Sequence, residues 1–169
     1  ALIISGSIKK TLETVALSES SPFYKQLVSK HIVPFTEQET VEFLRLYLGK
    51  IDQNQVKKLH EITGGLPFYL QFIGRSTKYV GDIDESIRKF IDQEGDLFFK
   101  EEFEKLGNKE RLISITLSKG EKSLTDIAKH LNEPTTTIGR YLPILVEKEL
   151  VVKESRGSYR LLDTLFEYW

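Results

Sequence analysis

The sequence predicts a mainly helical α+β chain: a helical bundle with short strands before it, followed by a helix–turn–helix unit closed by two strands. Three observations predict this. Leu2-Ile3-Ile4 is a continuous apolar run ending in Ser5-Gly6-Ser7, the pattern of a buried strand and its turn. Cap residues followed by apolar stripes at helical spacing then recur from Thr36 to Leu106. From Ser123 to Asp163 a short helix, a tight turn, a longer helix and two strands around Arg156-Gly157 follow in order.

Composition sets the limits. The chain has 169 residues, 40% hydrophobic and 29% charged, which is enough for one large or two small domains with a buried core. A net charge of −1 gives no global attraction to nucleic acid, so any such attraction is local. Cysteine is absent, which excludes disulfides and thiolate-ligated metal and fits a cytoplasmic protein. No apolar run reaches the length of a membrane span, so no membrane partner is expected. Methionine is absent even at position 1, and the chain opens inside a strand-like run, the look of a fragment whose N-terminal part lies upstream.

Taken in order, Lys9 to Leu17 reads as a short helix, Ser18 to Pro22 as a loop and His31-Ile32-Val33 as a second short strand. Thr36 with Glu39 forms a capping box, with Val41, Leu44 and Leu48 as the inward stripe and Gly49 as the stop. Asp52 and Gln55 open the next helix, with Val56, Leu59 and Ile62 inward, and Gly64-Gly65 ends it. Pro67 suits a first helical turn, and the helix continues to Tyr79. Phe68, Tyr69, Phe72 and Tyr79 are expected in the core rather than as a stacking platform. Asp82 with Glu85 caps a helix carrying Ile83, Ile87, Phe90 and Ile91; Gly95 is expected to break it before Leu97–Leu106 resumes. A change of rhythm near Gly107 marks a boundary, after which Asn108 caps a helix with Leu112, Ile115 and Thr116 inward.

The last third carries the clearest pattern. Ser123 with Asp126 caps Leu124–Leu131, Asn132-Glu133-Pro134 turns the chain, and Thr135–Glu149 forms the longer helix. Ile138, Leu142, Leu145 and Val146 face inward, while Thr136, Arg140 and Glu147 share the opposite stripe. Pro143 removes a helical donor and predicts a kink near Gly139. Leu150-Val151-Val152 and Tyr159-Arg160-Leu161 pair as strands. This is the layout of a winged helix-turn-helix, a module that docks on double-stranded DNA or on protein. Thr135, Thr136 and Thr137 suit phosphate contact, Arg140 a guanine edge, and Lys153, Arg156 and Arg160 the backbone. From Lys119 to Arg160 eight Lys/Arg face six Asp/Glu, a net of only +2, so DNA contact and a protein-facing role both stay open.

The chain has no G-x-x-x-x-G-K-[ST] loop and no strand ending in paired acids, so it cannot cradle a triphosphate alone. His31, His60 and His130 show no ligand spacing, and no metal site is expected.

Nevertheless, the order Leu2–Ser7, Ser21-Pro22-Phe23-Tyr24, Ile32-Val33-Pro34-Phe35, Thr63–Leu70, helix–turn–helix and Tyr159–Trp169 resembles the C-terminal half of the archaeal ATPase family, in the STAND branch of AAA+-like P-loop ATPases. The resemblance covers nearly the whole chain. It implies that residues 1–35 are a remnant of the P-loop ATPase core, 36–107 a helical lid domain and 108–169 a winged-helix domain. Ser5 would hold the sensor-1 position, and Gly65-Leu66-Pro67 would match the G-x-P signature where the lid approaches adenine. The phosphate loop and magnesium acids, hence ATP and Mg, would belong to the upstream core, the first partner. Where the family carries Gly-Arg after Pro-x-Tyr, this chain has Lys25-Gln26, so Lys25 would offer only a point charge.

The expected parent is an ATPase or nucleotide-dependent switch. The competing expectation is a winged-helix DNA-binding regulator with a helical oligomerisation arm and no nucleotide role. A third is a plain interaction module, with the winged helix packed on its own lid or on a partner. Leu2-Ile3-Ile4 is expected to pair with His31-Ile32-Val33, to swap into a second chain as a homo-oligomer, or to be poorly ordered.

Overall fold

The computed structural model describes residues 3–4, 13–30, 32–155 and 157–169, apart from the side chain of Tyr47. The chain divides into two compact units, Ala1–Val33 and Pro34–Trp169.

In the first unit a π-helical turn spans Glu13–Leu17 and buries Ala16. Ser18 Oγ donates to Thr14 O at 2.6 Å, and successive turns run on to Gln26. The expected strands do not form among the described residues. Ile3 and Ile4 are in no ladder, nor are Ile32 and Val33, and all four side chains are exposed. An apolar run becomes a strand only where a neighbour takes its N–H and C=O groups. Leu2, residues 5–12 and His31 lie outside the described residues.

The second unit opens with α1 (Glu37–Leu48). Its capping box is present: Thr36 N donates to Glu39 Oε2 at 2.8 Å, and Glu39 N donates to Thr36 Oγ1 at 3.3 Å. Helix α2 (Gln53–Thr63) is capped by Asp52, which accepts from Asn54 N. Helix α3 (Pro67–Val80) begins on proline and ends at Gly81 in the left-handed region. In it Gly74 is a close-approach position, since a Cβ there would sit 3.1 Å from Leu44 Cδ2. The apolar expectation for α3 holds only in part. Tyr69 is buried, Phe68 and Phe72 are half-exposed, and Tyr79 is 78% exposed.

Helix α4 (Ile83–Gly95) is capped by Asp82 and buries Ile83, Ile87 and Phe90. The expected break at Gly95 is not there. Gly95 is helical, and the chain continues through a π-helical turn (Asp96–Lys100) into α5 (Glu101–Glu104). The glycine serves packing instead, because a Cβ would lie 2.5 Å from Trp169 Cδ1.

Helix α6 (Asn108–Leu117) is capped one residue earlier than expected. Gly107 is the N-cap, and its N–H donates to Glu110 Oε2 at 2.7 Å. Its inward stripe is also shifted: Ile113, Ser114, Thr116 and Leu117 are buried, while Leu112 and Ile115 are 44% and 48% exposed. The cap moves Glu110 inward, where Lys148 Nζ meets it at 2.7 Å, and the phase of the helix follows.

The C-terminal elements appear in the predicted order, plus one strand the sequence did not reveal. They are β1 (Lys122–Ser123), α7 (Leu124–Leu131), α8 (Thr135–Glu147), β2 (Val151–Lys153) and β3 (Ser158–Leu161). The antiparallel sheet has the order β1-β3-β2, with Val151 opposite Leu161 and Lys122 opposite Tyr159. Helix α8 runs unbroken across Pro143 and buries Ile138, Leu142 and Leu145, but Val146 is 38% exposed. A last short helix, α9 (Thr164–Tyr168), returns to the bundle.

Among the described residues the architecture is therefore mainly α with one small sheet. A single apolar cluster runs from Leu44 and Leu70 through Phe90, Phe99 and Ile113 to Leu142 and Phe166. Phe99, Phe103, Phe166 and Trp169 form an aromatic cluster, with Phe166 and Trp169 stacked at 5.9 Å. Phe98 stacks on Phe90 at 5.8 Å, and Tyr168 is exposed.

Candidate functional site

The Gly64–Pro67 turn is built from constraints on both sides. Gly64 (φ 58°) and Gly65 (φ 72°) both occupy the left-handed region that non-glycine residues enter at a cost. The Gly64 and Gly65 N–H groups both point to His60 O, and Leu66 N donates to Thr63 O at 3.1 Å. Gly65 O accepts from Phe35 N at 2.8 Å. A Cβ on Gly65 would lie 2.2 Å from Phe35 O, so backbone passes backbone here. His60 itself is tied at Nδ1 to the buried Thr40 hydroxyl, 2.9 Å away. Gly65 is thus buried with its N–H and C=O both engaged, while Pro67 is exposed at the first position of α3, whose N-terminus has no side-chain cap.

Two residues from the far end of the chain hold this turn. Thr164 Oγ1 donates to Ile62 O at 2.6 Å, and a Cβ on Gly64 would meet that Oγ1 at 3.3 Å. Tyr69 Oη, on the first turn of α3, donates to Asp163 Oδ2 at 2.5 Å. Burial, then the Asp163 hydrogen bond and its negative charge, push the Tyr69 phenol far up, so it stays a donor. Asp163 uses Oδ1 to accept from Leu165 N and Phe166 N, capping α9. Burial followed by the Asp163 charge raises Glu102, and burial is the main cause of a raised Glu167.

Sequence reasoning missed this pairing. Asp163 before an apolar run is a legible cap, but its partner Tyr69 lies 94 positions away.

Of the other sequence-predicted residues, Lys25 has φ 61° with its ammonium 5.0 Å from the Tyr24 ring centre. Ser5 and Arg156 lie outside the described residues. Thr135, Thr136 and Arg140 are exposed on the first turns of α8, and Thr137 is half-buried. Lys153 is exposed at the end of β2, but Arg160 is committed: its Nε meets Glu154 Oε1 at 2.7 Å and its Nη1 donates to Leu161 O.

A shallow hollow of about 440 Å³ on α1 is lined by Glu37, Gln38, Val41, Glu42, Arg45 and Gln53, and neither Gly65 nor Pro67 borders it. Among the described residues no group of three or more His, Asp or Glu could hold a metal ion, and no helix is long and apolar enough to cross a membrane.

The fold recurs in a solved structure. A Walker-type ATPase of Pyrococcus abyssi matches 94% of this chain with a TM-score of 0.73 and 19% sequence identity. The match takes up 47% of that protein, so this chain spans about half the length of its neighbour. No protein-family model matches the chain, and no curated protein does.

Proposed function

We propose that this chain is the C-terminal part of a nucleotide-switched archaeal-type ATPase of the STAND, AAA+-like class. Residues 36–107 would serve as the lid and residues 108–169 as a winged helix that binds DNA or a protein partner. The observation that carries this reading is the fold shared with the Walker-type ATPase over 94% of the chain. The site supports it. The Gly64–Pro67 turn exposes the Pro67 ring at the uncapped start of α3, where an apolar face and helical N–H groups would both be open to a nucleotide. The phosphates and Mg would be held by a P-loop core outside this sequence, with Ser5 and Lys25 as its contributions from residues 1–35.

In the parent chain, nucleotide would bridge that core and the lid, and the difference in contacts between nucleotide states would shift the lid. ATP affinity of the parent, wild type against Pro67→Ala, tests this. A several-fold weakening is expected, and equal affinity would remove the turn from the nucleotide site.

Exposure of Thr135, Thr136 and Arg140 on one end of α8 keeps duplex DNA as the other candidate ligand. Salt-dependent duplex binding that weakens in Arg140→Ala supports it, and no binding at low salt removes it.

A further inference from the structure

We propose that Asp163–Trp169 is a releasable joint: α9 docks or melts as one unit, and its docking sets the conformation of the Gly64–Pro67 turn. This deepens the nucleotide reading above but stands on its own contacts.

The first argument is length. Helix α9 has five residues, far below the roughly 12–15 that make an isolated helix even marginal. Its helicity therefore comes from the Asp163 cap and from docking, and undocking and melting are one event. That makes it an order–disorder element rather than a deformable one.

The second argument is what the docked segment touches. Asp163 takes the Tyr69 hydroxyl, Thr164 bonds Ile62 O beside Gly64, and Trp169 Nε1 donates to Asp96 Oδ1 at 3.0 Å with its ring over Gly95. These contacts reach the end of α2, the start of α3 and the end of α4. On its other side Asp163 is two residues from β3, and Leu162 N donates to Leu150 O ahead of β2. Movement of the hairpin thus reaches the glycine turn through two residues.

Trp169 is the only tryptophan of the chain, so its fluorescence reports this segment alone. In a urea titration its emission should redden before the far-UV helical signal falls. Tyr69→Phe and Thr164→Val should each move the fluorescence midpoint down and leave the far-UV midpoint in place. Hydrogen exchange gives the second readout. In Thr164→Val the Trp169 amide, bonded to Leu165 O, should exchange about tenfold faster, and the Gly65 and Leu66 amides should speed up with it.

Coincident transitions in wild type, with both midpoints moving together in the variants, would place α9 in the global core and overturn the joint. Unchanged Gly65 and Leu66 exchange in Thr164→Val would overturn the coupling. Neither result depends on ATP, so loss of the nucleotide reading and loss of the joint are separately visible.

Discussion

The Gly64–Pro67 turn and the Thr135–Arg140 face are both candidate sites, yet they are opposite kinds of surface. In the turn nearly every group has a partner: two positive-φ glycines, a carbonyl taken by Phe35, a hydroxyl from Thr164 and a cap that leads to Tyr69. On α8 the side chains are exposed, and burial falls on Ile138, Leu142 and Leu145 behind them. The difference teaches that a tight turn can be shaped wholly by its own fold, so its shape alone does not argue for a ligand. An exposed polar stripe on a well-packed helix is free of that ambiguity but carries less positional information.

Substitutions can break or sharpen this contrast. Gly65→Ala should have the largest effect, about 3 kcal/mol of lost stability by urea denaturation, because a Cβ meets the Phe35 carbonyl at 2.2 Å in a left-handed conformation. A loss under about 1 kcal/mol would mean the turn is looser than its contacts say.

Gly95→Ala comes next and is a test of sign. In an ordinary helix interior this change stabilises by about 1 kcal/mol, but here the new methyl invades the Trp169 ring. Displaced Trp169 fluorescence and no gain in stability are expected. A gain with unchanged fluorescence would show that the Trp169 ring does not pack against Gly95.

A pH titration probes the joint more gently. Glu102 and Glu167 are raised above the usual 4.5, so their contribution is fully present below that value and is lost as pH rises through their folded values. Glu39 and Asp126 are lowered, by Thr36 and Ser123 hydrogen bonds, and their contributions are lost only as pH falls below the usual carboxylate range. The Trp169 midpoint should therefore rise as pH drops from neutral toward 4.5. Tyr69, Asp163, Lys105, Glu101 and Arg160 face the same cluster, so Glu102→Gln is the control that should flatten the trend. A midpoint independent of pH would dissociate these carboxylates from α9.

The smallest stability effect is expected on the exposed face. Arg140→Ala should change stability by less than about 0.5 kcal/mol, while any duplex affinity falls and its salt slope drops by about 1. A large stability loss would show that Arg140 belongs to the fold.

The sequence by itself determined most of the helices, because capping and stripe spacing are local. Thr36–Glu39, Asp82–Glu85 and Ser123–Asp126 hold the bonds their spacing predicts, and the β2–β3 hairpin turns at Gly157. It misjudged positions where a neighbour from far along the chain decides. Gly95 looked like a break and is helical under Trp169; Leu112 and Ile115 looked inward until the Gly107 cap and Lys148 set the phase of α6. Ile3, Ile4, Ile32 and Val33 looked like strand residues, but a strand exists only as part of a ladder. Only the tertiary structure joined Asp163 to Tyr69 and Thr164 to Ile62. Local hydrogen bonds are set by neighbours three or four residues away, whereas these contacts depend on packing distant stretches of the chain together, and no spacing rule encodes that.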